Sequence, residues 1–154
     1  QFDLHQYFDE LENIFRHKLR KETELIMENP YDSCVVYLDK TKITRVIYEF
    51  MENAIKFTHK GSITLGYKIE DDNILFYVKD TGKGIKKEDL SKIYDRFEKL
   101  DSFEQGTGLG LSICKSIISA MHAESGVESD EGQGTYCWIK IKNKSVIIDG
   151  DKTN

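Results

Sequence analysis

The sequence predicts an α+β fold in which helices cover one face of a mostly antiparallel sheet. Helical patterns and hairpin-forming strand patterns both occur, and they mix without the strict alternation of strand and helix that a doubly wound sheet requires. The chain has 154 residues, close to the usual size of one domain. Hydrophobic residues make up 39% of it, and eight Phe, eight Tyr and one Trp supply a core, so a disordered chain is not expected.

Two helices and one strand are predicted in the N-terminal part of the chain. Over residues 4–20, apolar side chains recur every three or four positions, which predicts a helix with one apolar stripe. Pro30 separates this helix from a short buried strand over 34–38. Asp39 is placed to cap a second helix, which we expect to end at Gly61. The apolar stripe of the second helix consists of Ile43, Ile47, Phe50, Ala54 and Phe57.

Strands dominate the rest of the chain. Residues 63–69 and 74–79 alternate apolar and polar side chains around turn-forming residues at 71–73, which predicts a β-hairpin. The other predicted elements are, in chain order, a helix over 87–98, a polar loop over 101–106, a helix over 109–121, a short strand over 125–129, a turn over 132–134, a strand over 135–142, a further strand over 145–148 and a frayed tail over 149–154.

Composition and charge exclude several classes of function. The net charge of −5 and the pI of about 5.4 argue against a nucleic-acid-binding surface. No apolar run is long enough to span a membrane, and no signal peptide is visible. Cys34, Cys114 and Cys137 are far apart, which favours small buried thiols in a reducing compartment, and the histidines have no metal-ligand spacing. The chain begins with Gln1 instead of Met, so we expect a fragment of a longer protein.

Polar side chains follow one edge of the second predicted helix. With 100° per residue, Glu49, Asn53 and Lys56 fall within about 60° of one another, beside the apolar stripe. A carboxylate, a carboxamide and an ammonium group therefore share one edge of a half-buried helix. By geometry alone, the favoured interpretation is a charge pair between Glu49 and Lys56 with a solvated Asn53.

Two glycine-rich segments are candidates for ligand binding. At 80–84, Asp80 follows a strand, where its carboxylate can accept a hydrogen bond from an amino group, and the glycines allow a flat ligand to approach closely. A turn capped by the aspartate is an equally weighted interpretation. The segment at 106–111 runs into a predicted helix, whose unpaired N–H groups suit a phosphate chain, with a flexible hinge as the alternative. It matches neither the P-loop nor the dinucleotide-binding pattern.

Five short motifs occur along the chain in a characteristic order. They are Asn-Ala-Ile-Lys-Phe-Thr at 53–58, Asp-Thr-Gly-Lys-Gly at 80–84, Tyr-Asp-Arg-Phe at 94–97, Gly-Thr-Gly-Leu-Gly at 106–110 and Gly-Gln-Gly-Thr at 132–135. In this order they resemble the ATP-binding catalytic domain of two-component sensor histidine kinases. That family lies in the GHKL superfamily of gyrase, the Hsp90 chaperone, histidine kinases and the mismatch-repair protein MutL.

The resemblance covers about residues 35–142 and carries expectations for fold and domain organisation. It implies the two-layer α/β sandwich of that superfamily, known as the Bergerat fold. Residues 1–30 would be an N-terminal helix and linker from the dimerisation region, because residues 1–20 resemble the segment that joins the dimerisation helices to this domain. Residues 31–148 would be the ATP-binding catalytic domain, followed by the tail at 149–154.

The resemblance also implies a site for ATP and Mg²⁺. Asn53 would ligate Mg²⁺ through its amide oxygen, and Lys56 would contact the phosphates. Asp80 would accept the adenine amino group, with Thr135 supporting that contact and Phe57 lying beside the nucleotide. The other residues implied to contact ATP are Gly82, Gly84, Ile85, Gly106, Thr107, Gly108, Leu109 and Gly110. Residues 100–106 would form a lid over ATP.

Three departures from the family pattern bear on catalysis. Glu49 stands where the family often has Asn, and in the gyrase branch the matching residue is a glutamate that acts as general base on water. In this chain Glu49 would either accept the proton of an attacking histidine or only tune Mg²⁺. Lys99 stands where some members place an Arg on the γ-phosphate, so the charge is kept and the bidentate fork is lost. No phosphoacceptor histidine motif of the family occurs in the chain.

The resemblance therefore implies a protein-histidine kinase fragment that transfers the γ-phosphoryl group of MgATP to a histidine on a separate dimerisation domain. Two alternatives stay open: a GHKL-type ATPase or serine kinase with Glu49 as base, and a non-catalytic nucleotide-binding interaction module. The implied partners are the dimerisation domain of the same kinase and the receiver domain of a response regulator. We expect a cytoplasmic, monomeric fragment of a homodimeric parent, whose anchoring in the inner membrane is left open.

Overall fold

The computed structural model describes residues 1–84, 115–142 and 147–151. In these ranges the elements are β1 (Phe2–Asp3), α1 (Leu4–Arg16), β2 (Thr23–Glu28), β3 (Tyr31–Val36), α2 (Lys40–Phe57), β4 (Gly61–Glu70), β5 (Asn73–Asp80), β6 (Glu124–Asp130), β7 (Gly134–Lys142) and β8 (Ile147–Asp151). Residues 115–120 are also helical, in agreement with the C-terminal part of the helix predicted over 109–121. The predicted helix over 87–98 and the predicted loop over 101–106 lie outside the described residues.

The described strands form a five-stranded sheet in the order β2-β4-β5-β7-β6 and a small sheet in the order β1-β3-β8. In the larger sheet only the pair β2 and β4 is parallel, whereas β4–β5, β5–β7 and β7–β6 are antiparallel. This mixed, mostly antiparallel sheet with packed helices confirms the predicted α+β class. The small sheet and β2 were not predicted, because each depends on a partner strand that is distant in the sequence.

Hydrogen bonds join the first turn of helix α1 to the small sheet. The Asp3 carboxylate caps the helix by accepting a hydrogen bond from the His5 N–H at 3.0 Å, and it also accepts one from the Cys34 N–H at 2.8 Å. The apolar side of the helix is buried through Leu4, Tyr7, Phe8, Leu11 and Phe15. The helix ends at Arg16, earlier than the predicted residue 20, and the backbone turns at Lys18, whose N–H donates to Phe15 O.

Helix α2 begins as predicted and ends differently. The Asp39 carboxylate accepts a hydrogen bond from the Lys42 N–H at 3.2 Å, which confirms the predicted cap. The stripe is buried at Ile43, Ile47, Phe50 and Ala54, and half-buried at Phe57. The prediction that Gly61 ends the helix is wrong. The helix ends at Phe57, Thr58 is extended, and Gly61 begins β4 with a φ of +128°.

The predicted hairpin at 63–79 is confirmed as β4 and β5, which pair from Ile63 opposite Asp80 to Glu70 opposite Asn73. Asp71 turns the chain with a φ of +54°. Strands β6 and β7 confirm the two strands predicted after the last helix. The final strand is shifted: β8 covers Ile147–Asp151 and pairs with β3, whereas the sequence predicted a strand over 145–148 and a frayed tail.

The core lies between α1, α2 and the inner face of the larger sheet, where Ile63, Leu65, Phe76, Val78 and Ile139 are buried. Side chains of α1 and β2 belong to the same core as those of later elements. The boundary at residue 30 between an N-terminal linker and the catalytic domain stays a prediction. Cys34 is fully buried, as predicted, and Cys137 is half-buried. Of the helices described, none has both the length and the apolar composition for a bilayer span.

Candidate functional site

The centre of the candidate site is Asp80, the last residue of β5. Its neighbours across the sheet are Ile63 on β4 and Thr135 on β7. Its side chain is on the same face of β5 as the buried Phe76 and Val78, so the carboxylate lies on the inner face of the sheet, and only 6% of the residue is exposed. One carboxylate oxygen accepts a hydrogen bond from the Gly82 N–H at 2.9 Å. A nearly buried carboxylate with capacity for further hydrogen bonds is suited to accept one from a ligand.

The pKa of the Asp80 carboxyl group is raised above its ordinary value. Burial is the dominant cause, since it penalises the charged form. The Gly82 N–H, the Thr58 hydroxyl and the Thr135 backbone N–H each lower the pKa but do not cancel the effect of burial. Burial therefore outweighs these donors, and a ligand that offers an N–H group at this position would stabilise the charged form of the carboxylate.

Thr58 is a site residue that sequence reasoning missed. It directly follows α2, its backbone N–H donates to Ala54 O at 3.0 Å, and its side chain is fully buried. Its hydroxyl makes no hydrogen bond with any described residue, yet it lies close enough to Asp80 to lower that pKa. In the sequence, Thr58 could have been singled out as the last residue of the motif at 53–58, where a hydroxyl group follows the end of a helix.

The segment at 81–84 is held between the end of α2 and the turn joining β6 to β7. The Lys83 N–H donates to Phe57 O at 3.4 Å, and the Gly132 N–H donates to Lys83 O at 2.6 Å. A Cβ on Gly82 would lie 2.5 Å from Phe57 O, so only glycine permits this approach. Gly84 has a φ of +70°, which also requires glycine in practice. The sequence predicted that glycines in this loop let the backbone approach a ligand closely. In the structure, Gly82 lets the loop approach the end of α2 closely.

The edge of α2 carries the three polar residues singled out in the sequence. Glu49 and Asn53 are half-buried, and Lys56 is exposed. Glu49 pairs with Arg45, with 3.2 Å between the guanidinium nitrogen and the carboxylate oxygen, so the interpretation of a Glu49–Lys56 pair is wrong. A partner four residues away on the helix competes successfully with one seven residues away. Burial raises the pKa of Glu49, and Arg45 partly offsets the effect.

Phe57 connects the helix edge with the glycine segment. Its ring lies beneath two ammonium groups, with the Lys56 Nζ at 5.4 Å and the Lys83 Nζ at 4.9 Å from the ring centroid. Both distances are within the range of a cation–π interaction. An aromatic ring and two positive charges therefore lie next to the segment that begins at Asp80, a combination suited to a flat anionic ligand.

Thr135 is directly opposite Asp80 in the β5–β7 ladder. Its backbone N–H lowers the pKa of Asp80, whereas its hydroxyl group lies 2.9 Å from the Ser129 hydroxyl. Gly134, just before it, has a φ of +94°, and a Cβ there would lie 1.9 Å from Asp80 O. The β6–β7 turn is thus fitted closely to the end of β5.

The structure brings together the described part of the predicted site. The end of α2, the end of β5 with its glycine segment, and the start of β7 meet around Asp80. Glu49 and Asn53 lie further back along α2. The remaining predicted site residues lie outside the described residues, and so does the predicted lid; these are Ile85, Lys99, Gly106, Thr107, Gly108, Leu109 and Gly110.

Comparison with known proteins gives a consistent result. Residues 38–145 match the family model described as histidine kinase-, DNA gyrase B- and HSP90-like ATPase. The chain is 36% identical over 140 residues to the sensor histidine kinase WalK of Bacillus subtilis, which covers 85% of this chain and 23% of that protein. It is also 36% identical over 107 residues to the sensor histidine kinase RcsC of Escherichia coli, which covers 67% of this chain and 11% of that protein. The chain thus spans less than a quarter of the length of these curated relatives.

Two solved structures show the same fold. The catalytic domain of histidine kinase ThkA superposes with a TM-score of 0.78 and 29% identity, covering 92% of this chain and 93% of that one. Full-length ShkA, crystallised in complex with AMPPNP, superposes with a TM-score of 0.70 and 28% identity, covering 91% of this chain and 29% of that one. The α+β arrangement described above is therefore that of histidine kinase catalytic domains.

Proposed function

The chain belongs to the family of histidine kinase-, DNA gyrase B- and HSP90-like ATPases, and on this premise we propose that it is the MgATP-dependent catalytic domain of a sensor histidine kinase. In this proposal it transfers the γ-phosphoryl group to a histidine on a dimerisation domain outside this sequence. A cytoplasmic response regulator then receives that group from the histidine of the homodimeric parent. The observation that carries the proposal is the buried carboxylate of Asp80 at the end of β5, where burial outweighs the donors around it.

Asp80 is proposed to recognise adenine. The exocyclic amino group of adenine is a donor, and the Asp80 oxygen that the Gly82 N–H does not engage lies on the inner face of the sheet, where it can accept a hydrogen bond from that group. Glycine is needed at position 82 beside Asp80, because a side chain there would collide with Phe57 O and displace the loop. Phe57 supplies an apolar ring near the base, and Thr135 fixes the strand opposite Asp80.

The edge of α2 is proposed to hold the polar end of the ligand. The donor set fits Mg²⁺, because the Asn53 amide oxygen and the neighbouring Glu49 carboxylate are hard oxygen ligands and this ion keeps several waters and phosphate oxygens. When bound, Mg²⁺ neutralises phosphate charge. Lys56, exposed at the end of the same helix edge, adds a positive charge within reach of the phosphates. Lys99 and the segment at 106–110 complete the phosphate contacts in this proposal.

The proposed reaction needs positioning and charge neutralisation more than covalent chemistry by the protein. A nitrogen of the acceptor histidine forms a bond to the γ-phosphorus while the bond from that phosphorus to the β–γ bridging oxygen breaks. ADP leaves with that oxygen, and the histidine loses its ring proton. Glu49 is the described residue suited to receive a proton near the phosphates, because burial raises the pKa of its carboxyl group.

The same observation on Glu49 favours a second candidate function, hydrolysis of ATP by a base-activated water as in the gyrase branch. The two functions differ in the behaviour of the domain alone. An ATPase hydrolyses ATP without a partner, and Glu49→Gln abolishes the activity. A histidine kinase domain transfers phosphate only when an acceptor histidine is supplied.

Adenine recognition is tested by calorimetry with ADP and with inosine diphosphate, which has a carbonyl in place of the amino group. The wild-type domain is expected to prefer ADP by about a hundredfold, since a site with a buried acceptor rejects a ligand that leaves it unpaired. Equal binding of the two nucleotides would exclude Asp80 as the adenine acceptor.

Phosphotransfer is tested by supplying a dimerisation fragment of a related sensor kinase together with [γ-³²P]ATP. Label is expected on the histidine of that fragment, and Asn53→Ala should remove it together with the Mg²⁺ dependence of ATP binding. A set of competent dimerisation fragments that all stay unlabelled, beside robust hydrolysis that Glu49→Gln removes, would establish the ATPase instead.

A further inference from the structure

The Thr58 hydroxyl is a buried polar group with no hydrogen-bond partner among the described residues. The residue is 0% exposed. Burying a hydroxyl without a partner costs about 1–3 kcal/mol, so such groups are rare unless they have a function. Valine has nearly the same shape without this cost, which makes the presence of a hydroxyl here informative.

The surroundings of Thr58 identify its acceptor. A Cβ placed on Gly82 would lie 2.7 Å from Thr58 Oγ1 and 3.0 Å from the Asp80 carboxylate oxygen, so both oxygens border the same glycine. The hydroxyl already lowers the pKa of Asp80. A hydroxyl can rotate its hydrogen to a suitable acceptor, and the carboxylate is the strongest acceptor in this corner.

The segment that bears Thr58 is fixed on both sides. Its N–H is bound to Ala54 O at the end of α2, and its carbonyl accepts a hydrogen bond from the Thr23 hydroxyl at 3.4 Å on β2. The side chain is thus held toward Asp80 by the helix on one side and by the parallel edge strand on the other. A fixed donor next to a functional carboxylate is the arrangement of a residue that orients its neighbour.

We propose that Thr58 is a positioning residue for Asp80: its hydroxyl donates to the carboxylate, keeps it ionised and turns the oxygen that Gly82 does not engage toward the adenine amino group. The Gly82 N–H and the Thr58 hydroxyl both act on Oδ1, so that Oδ2 is left for the ligand. This inference rests on the proposed function of the site, although the contact between Thr58 and Asp80 can be tested without any nucleotide.

Among the described residues, no charged group is a cause of the shift in the pKa of Asp80, whereas burial and hydrogen bonds are. Its pKa is set by burial and by the three donors Gly82, Thr58 and Thr135. The charged groups of the described residues on the surrounding elements include Glu49, Glu52 and Lys56 on α2, Lys79 on β5, Lys83 in the glycine segment, and Glu128 and Asp130 on β6. None of these is among the causes of the shift. A change at Thr58 should therefore appear directly in the titration of Asp80.

The test compares Thr58→Val, which removes the hydroxyl, with Thr58→Ser, which keeps it. The carboxyl carbon of Asp80 is followed by ¹³C NMR across pH in the domain without nucleotide. Thr58→Val is expected to raise the pKa of Asp80 by about one to two units, the effect of losing a hydrogen bond to a charged group. Thr58→Ser should leave it near the wild-type value. An unchanged titration in Thr58→Val would overturn the proposal.

ADP binding by calorimetry at neutral pH supplies the second readout. Thr58→Val should weaken ADP binding about tenfold or more, and Thr58→Ser should restore it. The matched control is Thr44→Val on the same helix, where a hydroxyl that donates to Lys40 O is lost far from Asp80, and its ADP affinity should be unchanged. Equal loss of binding in Thr58→Val and Thr58→Ser would also overturn the proposal.

A double-mutant cycle covers the case in which Thr58→Val is unstable. In urea unfolding, the substitution should cost more in the wild-type background than in the Asp80→Asn background, since only the first contains a charged acceptor. Equal costs in both backgrounds would show that Thr58 acts on packing alone. If the wild-type domain binds no ADP, the proposed function fails, while the titration and the cycle still decide whether Thr58 holds Asp80.

Discussion

Two aspartates of this domain show how the same side chain serves stability in one region and a ligand in another. Asp3, at the corner between α1 and β3, accepts hydrogen bonds from the backbone N–H groups of His5 and Cys34 and from the Ser33 hydroxyl. Burial opposes its ionisation, but these donors outweigh burial and lower its pKa. Asp80 is more deeply buried than the half-buried Asp3, and there burial outweighs the Gly82, Thr58 and Thr135 donors, so its pKa is raised.

The difference lies in how deeply each carboxylate is buried relative to the donors around it. At the Asp3 corner, a helix start and a neighbouring strand both point N–H groups at one carboxylate, which satisfies the backbone and joins two elements. At Asp80, burial outweighs the effect of its three donors on the pKa, and an N–H group of a ligand would offset that penalty. A carboxylate whose charge is fully stabilised by the protein is structural, whereas one whose charge is penalised by burial gains stabilisation from a ligand, at some cost in stability of the free domain.

The largest expected effect comes from removing the negative charge of Asp80. Asp80→Asn should weaken ADP binding by about a hundredfold or more, because the amide offers a donor where an acceptor is needed. It should also stabilise the free domain at neutral pH, since a buried charge is removed. Calorimetry and urea unfolding measure the two effects. A variant that binds ADP normally would contradict the assignment of Asp80.

The matched substitution at the other aspartate should show the opposite pattern. Asp3→Ala should lower the free energy of unfolding by about 2–3 kcal/mol, because it removes a helix cap and leaves the Cys34 N–H without its acceptor. Binding of ADP should not change beyond about twofold once the domain is folded, because Asp3 lies outside the site. Urea unfolding measures the loss of stability, and calorimetry on the folded variant measures ADP binding. A stability equal to wild type would show that the corner is not held by this carboxylate.

The pH dependence of stability should separate the two aspartates by sign. Asp3 has a lowered pKa in the folded state, so its contribution is present above the ordinary aspartate value and is lost as pH falls through the folded pKa. Asp80 has a raised folded pKa, so its charged form destabilises the domain at neutral pH, and this penalty disappears as pH falls through that pKa.

Urea unfolding across acidic and neutral pH measures both trends. The deficit of Asp3→Ala should shrink only as the pH falls below the ordinary aspartate pKa, and the gain of Asp80→Asn should shrink at higher pH, as the pH falls through the raised pKa of Asp80. Parallel curves for wild type and Asp80→Asn across this range would show that burial does not perturb Asp80.

The smallest expected effect concerns the lysine over Phe57. Lys83→Met should weaken ADP binding about two- to fivefold, the size of an exposed cation–π interaction. Lys68→Met is the matched control, because the Lys68 Nζ lies 5.4 Å from the ring centroid of Tyr77, away from the site. Equal effects of the two substitutions in calorimetry would assign the loss to charge alone and not to the contact with Phe57.

The local patterns of the sequence predicted most elements but not how they are joined. Helix α2, with its cap at Asp39, and the β4–β5 hairpin follow from periodicity and turn residues that are close in sequence. Strand β2 and the pairing of β8 with β3 were missed, because a strand of the small sheet or an edge strand gains its stability from a distant partner. The end of α2 was misplaced because Gly61 serves the start of β4 instead of a helix terminus.

The sequence by itself determined the fold class, the order of the motifs and the identity of Asp80 as the candidate acceptor, because these depend on short-range spacing. Only the tertiary structure decided that Glu49 pairs with Arg45, that Thr58 is buried beside Asp80 and that burial outweighs the donors at Asp80 but not at Asp3. The physical reason is that burial and hydrogen-bond supply are properties of the space around a side chain. That space is filled by elements from distant parts of the chain.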